Sequence, residues 1–359
     1  MTGRYVVTFD SPADSAVSRV GGKCAGLLAM TRAGCSVPPG FVVTTNAFEA
    51  LLADAGLRKR VDAVLAGLDV TDPVGTEVGS AEIRRLVGGQ PVPPRVAAAV
   101  TGAHDSFCEG VGVRDAAVAV RSSAQTEDLP GASFAGQYDT YLGVRGPDAV
   151  LDAVRRCWAS LWTARAVTYR AANAVPEEGL KMAVGVQKMV DARTAGVAMT
   201  VNPADGDRSK IVIDAGWGLG APLVSGEVTP DNYVVDKVLL VAVRTTVSPK
   251  SYELIVAPGG QGLVRNGVEE SRRRVACLAP DEVTAVARLA KEVERHYGFP
   301  LDIEWAIDRE PSAPGDVLLL QARAETVWSR RPRRPTGVRE GAGVGSIADT
   351  MLGLGNLPA

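Results

Sequence analysis

The chain has 359 residues, of which 46% are hydrophobic and 22% are charged. This composition excludes a disordered chain, and 39 Gly and 22 Pro without a three-residue period exclude a collagen-like one. The net charge of −2 leaves no basic field, so the sequence predicts neither nucleic-acid nor membrane binding. At about 150 residues per domain, the length favours two domains.

The N-terminus and the cysteines predict a cytoplasmic protein. The first ten residues, MTGRYVVTFD, lack the charged region and the long apolar region of a signal peptide. The longest apolar runs, such as 238–243, are far too short to span a bilayer. The five Cys are odd in number and form no CxxC pair, which favours reduced thiols over a disulfide framework.

The first 45 residues read as strand, helix and strand. Residues 5–9 alternate as a strand does, and Gly21 and Gly22 open a helical stretch. A Pro-Gly turn then leads into a strand over 37–45. Lys23 therefore lies at a helix N-terminus, where free N–H groups, the helix dipole and its own ammonium would together bind an anion. A solvated surface lysine is an equal alternative for this residue.

A second candidate residue follows a polar segment that contains Gly and Pro, at 71–95. Arg121 lies at the end of a short apolar strand over 116–123. Because a buried guanidinium must be paired, Arg121 either forms a salt bridge with Glu127 or Asp128 or binds phosphate.

The next segment is a Gly-rich loop, 131-GASFAGQ-137. It exposes backbone N–H groups, but alone it is a weak signal of a phosphate cradle because surface turns look the same.

The middle of the chain predicts one long helix and a run of strands. Apolar residues recur every three or four positions over 149–170, which is the helical period. Strands are predicted at 181–190, 195–201, 211–220 and 233–243.

A second clear helix is predicted near the C-terminus. The segment 280–297 has acidic residues in its first turn, an apolar stripe and a following Gly298, which is typical of an amphipathic helix.

The segments 301–308 and 317–323 predict a β-hairpin. Because successive side chains of a strand point to opposite faces, each strand presents its polar residues on one face. The polar face of the first strand has Asp302 and Glu304; that of the second has Gln321 and Arg323, with Leu320 and Ala322 on the other face.

The polar faces of this hairpin can meet as Glu304, Gln321 and Arg323. A carboxylate beside a carboxamide oxygen supplies the hard ligands that Mg²⁺ prefers, and a guanidinium grips phosphate. The alternative is a solvated cross-strand Glu–Arg pair that contributes little. Other nucleotide and hydrolase motifs are missing, since the sequence has no GxxxxGK[ST], HExxH or GxSxG.

Several segments together resemble the N-terminal ATP-binding domain of the family of phosphoenolpyruvate synthase, pyruvate phosphate dikinase and rifampin phosphotransferase. They keep the family's order and span nearly all of 20–328. The segments are 21-GGKCAGLLAM-30, 37-VPPGFVVTT-45, 120-VRSSAQTEDLPGASFAGQYDTYLGV-144, 157-CWASLWTARAVTYR-170, 185-GVQKMVDARTAGVAMTVNP-203, 214-DAGWGLGAPLVSGEVTPDNYVV-235, 297-YGFPLDIEWAID-308 and 319-LLQARAETV-327.

The resemblance implies an α/β (α+β) fold of the ATP-grasp-like type, in which two lobes close on ATP. It implies that Lys23, Arg121 and Arg323 contact the phosphates, and that Glu304 and Gln321 bind Mg²⁺. The remaining nucleotide contacts that it implies are Gly131, Ser133 and Gly136 of the Gly-rich loop, with Gln187, Lys188, Met189 and Val190, which link the lobes and border the adenine. We expect an N-terminal lobe at 1–185, a C-terminal lobe with the metal-binding hairpin at 186–328, and a flexible basic tail at 329–359.

The chain departs from the family pattern in two ways. Ala324 stands where the family often has Pro, which loosens the turn. Family enzymes also pass phosphate from ATP through a histidine in a Gly- and Thr-rich motif, and release AMP and inorganic phosphate. Neither His104 nor His296 lies in such a motif, and 359 residues leave no room for the acceptor domain.

The resemblance therefore implies the ATP-binding subunit of a split phosphotransferase, divided as phenylphosphate synthase is. The subunit would use Mg-ATP to phosphorylate a histidine on a partner chain, which would pass the phosphate to a small molecule. Two alternatives remain: a self-contained ATP-grasp ligase or kinase that forms ADP, and a nucleotide-binding module without catalysis.

Overall fold

A computed structural model describes residues 5–11, 15–125, 138–257, 262–310 and 316–328. Three sets of predictions lie outside these ranges. They are the Gly-rich loop with Gly131, Ser133 and Gly136, the alternative partners of Arg121 at Glu127 and Asp128, and the tail at 329–359.

The N-terminal half of the chain contributes five antiparallel strands: β1 (Val6–Thr8), β2 (Gly40–Val43), β3 (Val118–Ala124), β4 (Thr140–Val144) and β5 (Met182–Lys188). They form one sheet in the order β1-β2-β5-β3-β4. Valine is frequent in these strands, as expected for a β-branched residue on a pleated, buried surface. The predicted lobe boundary at residue 185 stays a prediction, and β5 runs across this position.

The C-terminal half contributes a second antiparallel sheet of six strands: β6 (Ala192–Met199), β7 (Lys210–Trp217), β8 (Asp231–Asp236), β9 (Ala242–Thr246), β12 (Leu301–Asp308) and β13 (Leu318–Ala324). Their order is β13-β12-β6-β7-β8-β9. A separate hairpin is formed by β10 (Tyr252–Val256) and β11 (Leu263–Gly267). The predicted hairpin of 301–308 and 317–323 is therefore confirmed as β12 and β13.

The helices of the described residues are α1 (Val17–Arg32), α2 (Thr45–Ala53), α3 (Leu57–Ala66), α4 (Pro73–Gly89), α5 (Pro94–Val111), α6 (Pro147–Ala159), α7 (Ala164–Ala172), α8 (Ala221–Val224), α9 (Glu270–Arg273) and α10 (Pro280–Tyr297). With two antiparallel sheets, they confirm the α+β class. Within the described ranges, no helix combines the length and the apolar character needed to cross a bilayer.

Each sheet has its own hydrophobic core. In the first core, the buried ring of Phe48 lies 6.0 Å from Trp158 and 6.1 Å from Trp162, so α2 is fixed against the segment that follows β4. In the second core, α10 packs its predicted apolar stripe against the sheet. Full burial of each such side chain contributes about 1.5–3 kcal/mol.

Helix α1 packs against both sheets. It contacts β3 and β5 of the first sheet and β13 of the second, and its buried Met30 belongs to the second core. At Gly26, an added Cβ would lie 2.8 Å from the hydroxyl of Tyr297, so the missing side chain lets α1 approach the end of α10. Within α1, Gly21 has a φ of 72° and kinks the helix.

Two predicted elements differ from the observed ones, and one segment without a predicted element contains a helix. The predicted helix over 149–170 is broken after α6 by a 3-10 turn, because Thr163 accepts a hydrogen bond from the Ala166 N–H at 3.3 Å and starts α7. The polar segment 71–95 contains the whole of α4, which begins at Asp72 and Pro73, a favourable helix start.

The predicted strand over 233–243 is two strands, β8 and β9, joined by a tight turn. Asp236 forms this turn by accepting hydrogen bonds from the N–H groups of Leu239 and Val238, both at 3.0 Å. These bonds and the one from Lys210 lower the pKa of Asp236 to about 2.

A buried ion pair fixes the end of α7. The fully buried guanidinium of Arg170 donates to both carboxylate oxygens of Glu177, at 2.6 and 2.9 Å, and to the Leu161 carbonyl at 2.7 Å. Glu177 is partly exposed, so only the guanidinium depends on its partner for charge compensation.

We expect Glu177→Ala to lower the free energy of unfolding by about 3 kcal/mol, because it leaves a buried guanidinium without a counter-ion. The neighbouring Glu178→Ala removes an exposed carboxylate and should change stability by less than about 0.5 kcal/mol. Urea unfolding of both variants measures the difference. Equal midpoints would show that Arg170 does not need this partner.

Candidate functional site

The hairpin of β12 and β13 presents a polar face towards the first sheet. Glu304 lies opposite Gln321, and Asp302 lies opposite Arg323, as the alternation predicts. On the other face, Trp305 is buried in the second core. The carboxylate and the carboxamide of the predicted magnesium site are therefore cross-strand neighbours on one surface.

A β-bulge changes one predicted orientation. The register of β12 and β13 shifts after Glu304, so that Trp305 pairs with Leu319 and Ala306 with Leu318. Leu320 becomes the extra residue, and its side chain packs on the same apolar cluster as Leu318. The prediction that Leu320 lies on the opposite face was wrong, because strict alternation does not continue through a bulge.

Arg323 forms its ion pair with Asp302 and not with Glu304. Its Nε and one terminal nitrogen lie 3.2 and 3.1 Å from one oxygen of Asp302. Burial raises the pKa of Asp302, and the positive charge of Arg323 opposes this rise. Because 44% of the Arg323 side chain is exposed, its outer edge is open to a further anion.

Arg121 connects the first sheet to this hairpin. It leaves β3 and donates to Glu304 at 3.5 Å and to the Leu320 carbonyl at 3.4 Å. Its Nε–H is buried but has no acceptor among the described residues. Arg121 thus faces the candidate metal ligand Glu304 and keeps its Nε–H group available to a bound ligand.

Lys23 is placed by the kink in α1. The left-handed φ of Gly21 lets the helix backbone lie directly against Ser123 of β3. The Ser123 hydroxyl accepts from the Cys24 N–H at 3.0 Å and donates to the Val20 carbonyl at 2.9 Å. The regular part of α1 therefore starts beside β3, with Lys23 in its first turn.

These side chains share one pocket. Its lining includes Lys23, Arg121, Gln187 and Gln321, so it takes residues from both sheets and from α1. Glu304 borders it through its contact with Arg121. Positive groups, a carboxylate and amides in one cleft suit a ligand that is an anion bound to a metal ion.

The predicted linker begins within β5, which contains Gln187 and Lys188, and continues into an apolar cluster. Gln187 is buried and donates to the Pro38 carbonyl at 3.4 Å, and the backbone N–H groups of Lys188 and Met189 donate to Pro39 and Ala117. Val190 begins the cluster. The predicted contact Met189 packs against this cluster. The other members, which sequence reasoning did not assign to the site, are Ala192, Ala195, Leu219 and Ala306, with Leu254, Leu263, Leu318 and Leu320 packed against them.

The donor set of the candidate metal site is small. Within the described ranges, no group of three or more His, Cys, Asp and Glu side chains is arranged to hold a metal ion. Glu304 and Gln321 offer one carboxylate and one carboxamide oxygen. Such a pair fits Mg²⁺, which keeps waters and uses ligand phosphates for its remaining positions.

Comparison with known proteins identifies the family. The sequence profile described as pyruvate phosphate dikinase, AMP/ATP-binding domain, matches residues 17–340. The chain belongs to this family.

The chain is similar to several proteins of the dikinase family. It is 39% identical to a probable phosphoenolpyruvate synthase of Staphylothermus marinus, over 99% of the chain and 46% of that protein. It is 42% identical to the phosphoenolpyruvate synthase of Aeropyrum pernix, over 92% and 43%. It is 43% identical to a rifampicin phosphotransferase of a Streptomyces species, over 86% and 35%.

The matched region includes every described element from α1 to β13, so the dikinase-family assignment covers both sheets except β1, and the pocket between them except Phe9. The resemblance drawn from the sequence motifs is thereby confirmed. The chain spans less than half the length of these relatives.

Proposed function

We propose that the chain is the nucleotide-binding subunit of a split phosphotransferase, which uses Mg-ATP to phosphorylate a histidine on a partner chain and forms AMP and phosphate. The observation that supports this most is the pocket lined by Lys23, Arg121 and Gln321, with Glu304 at its border next to Arg121. Family membership supports ATP as the nucleotide.

The cationic side chains would neutralise the phosphates of ATP. Lys23 and Arg121 approach from α1 and β3, and β13 provides a third cation, Arg323, on the same face as Gln321. Cations fixed in a water-poor cleft stabilise the charge that develops during phosphoryl transfer, and positioning supplies the rest of the catalysis.

Glu304 and Gln321 would hold the magnesium ion. When bound, the ion supplies charge neutralisation between the phosphate oxygens. The ion pair of Arg121 with Glu304 is long, at 3.5 Å, so the carboxylate is open to a stronger ligand.

The apolar cluster beside the linker suits the adenine ring. Leu318, Leu320 and Leu254 are only partly buried there, so a flat apolar ring can complete their packing. Met189 and Val190 border the cluster. Because the Met189 N–H is already donated to the Ala117 carbonyl, hydrogen bonds to the ring edge would come from the remaining peptide groups of this segment.

The acceptor imidazole must come from outside the pocket. The chain has two histidines. His104 is buried on α5 next to Phe107, and His296 lies at the exposed end of α10 against Tyr297. Neither lines the pocket. The names of two relatives, a phosphoenolpyruvate synthase and a rifampicin phosphotransferase, indicate different phosphoryl acceptors. This difference supports placing acceptor recognition outside the matched region.

We expect the purified chain to bind Mg-ATP but to turn it over very slowly until the partner is added. Incubation with ATP labelled at the β position, in cell extract of the source, should label one partner polypeptide with an acid-labile phosphate and release AMP. Rapid AMP formation by the chain alone would contradict the division of the reaction between two chains. Formation of ADP would indicate a ligase or kinase, and binding without any labelled polypeptide would indicate a nucleotide-binding module.

A further inference from the structure

A second carboxylate lies on the same face of the sheet as Glu304. Reading across the strands, Glu304 of β12 pairs with Val197 of β6, Val197 with Asp214 of β7, and Asp214 with Asn232 of β8. Residues directly opposite each other in antiparallel strands point to the same side of a sheet. Asp214 therefore shares the cleft-facing surface, two strands and about 9.5 Å of backbone from Glu304.

One side of the Asp214 carboxylate is held and the other is open. Asn232 donates to one oxygen of Asp214 at 2.7 Å, which fixes the plane of the carboxylate. No other described side chain donates a hydrogen bond or forms an ion pair to it. Burial raises the pKa of Asp214, which is the effect of taking a carboxylate from water without a nearby cation.

The surface between the two carboxylates is apolar. Val197 lies between Glu304 and Asp214, and Met199 follows it on the same face of β6. Both side chains are partly exposed. A small ring with one apolar face and one polar N–H therefore finds an apolar floor here and a hydrogen-bond acceptor at its far edge.

We propose that Asp214 accepts the ring N–H of the acceptor imidazole while the opposite ring nitrogen faces the nucleotide at Glu304. This inference rests on the proposed function, because it names the group on this chain that receives the partner's histidine. Asn232 acts as a positioning residue that fixes the carboxylate.

With this contact, the bonds and the protons of the transfer step balance. The free ring nitrogen attacks the β-phosphorus of ATP, so a nitrogen–phosphorus bond forms. The bond from that phosphorus to the bridging oxygen of AMP breaks, and AMP leaves with the electron pair. The attacking ring becomes cationic, and its remaining N–H proton is shared with or passed to Asp214. A carboxylate in this place fixes the tautomer of a histidine and stabilises its charged form.

The test compares imidazole with 1-methylimidazole, which has no N–H to donate. The full chain is loaded with Mg²⁺ and a non-hydrolysable ATP analogue, and binding of each ring is followed by NMR titration of the Asn232 side-chain amide and nearby backbone signals. We expect the wild-type chain to prefer imidazole about tenfold or more, since a hydrogen bond to a charged group is stronger than one between neutral groups.

Asp214→Asn and Asp214→Ala should remove this preference and leave the affinity for the magnesium nucleotide within about twofold. The exposed Asp62→Asn on α3 should behave as wild type. Equal binding of imidazole to wild-type and Asp214 variants would overturn the assignment of Asp214 alone. Loss of magnesium-nucleotide affinity in these variants would overturn it in favour of a metal or nucleotide ligand. If neither ring bound to the loaded wild-type chain, the acceptor chemistry of the proposed function would be overturned as well.

Discussion

Glu304→Gln is expected to lower magnesium-dependent turnover of ATP, measured with the partner present, by about 10²- to 10³-fold. The substitution keeps the size of the side chain but removes the one carboxylate of the Glu304–Gln321 pair. A magnesium ion would then have two neutral oxygen ligands from the protein and would bind weakly. Arg121 would also lose its only described carboxylate partner.

Magnesium titrations separate the two effects. Nucleotide affinity measured calorimetrically should fall in Glu304→Gln when magnesium is present, and should change little when the ion is removed with a chelator. Glu109→Gln, on the exposed face of α5, is the matched control and should not alter either value. Full magnesium-dependent activity in Glu304→Gln would remove this residue from the metal site.

Gly21→Ala is expected to destabilise the protein by about 3 kcal/mol or more. A left-handed φ costs a residue with a Cβ about 1–2 kcal/mol. The new Cβ would also lie 1.9 Å from the Ser123 carbonyl oxygen, so α1 would have to move away from β3 at a further cost of about 1–3 kcal/mol. Because Lys23 is two residues away, ATP affinity should fall by about tenfold or more, which equals 1.4 kcal/mol.

Gly102→Ala provides the control for this variant. Gly102 lies within α5 with open space around it and an ordinary helical φ, so alanine there should raise stability by about 0.5–1 kcal/mol. Urea unfolding and calorimetric titration with Mg-ATP measure both variants. If Gly21→Ala unfolded at the wild-type midpoint, the close contact between α1 and β3 would not be required.

Local patterns in the sequence predicted much of the fold. The period-two alternation of 301–308 and 317–323 predicted the opposed pair of Glu304 and Gln321, because strand faces follow directly from residue spacing. The bulge at Leu320 escaped this reasoning, since nothing in the spacing of residues marks where a strand gains an extra one.

Local sequence patterns could not predict the long-range contacts of the site. Arg121 and Glu304 are 183 positions apart, and their approach depends on how two separate sheets pack. From the sequence, only the family resemblance predicted that Arg121 and Glu304 belong to one site. The partner of Arg323 shows the same limit, because both Asp302 and Glu304 lie on the predicted face and only the register decides between them.

Asp214 begins one of the segments that resemble the family, but no sequence pattern assigned it a role. Its position in the sequence, just before GWGLG, indicates only the end of a buried strand. The property that matters is its place two strands from Glu304, which arises from the order β12-β6-β7. Since β12 comes after β7 in the chain, this order is not visible from sequence neighbours.

Helix α1 belongs to the packing of both halves and also positions Lys23. A substitution in either core would therefore affect the cleft through this one helix, even when the altered residue lies far from any ligand. In a screen of random variants, loss of nucleotide binding should map along both packed sides of this helix, around Met30 towards the second sheet and around Cys24 towards the first, as densely as along the cleft lining. The domain would thus be unusually intolerant of changes at positions that contact nothing but other side chains.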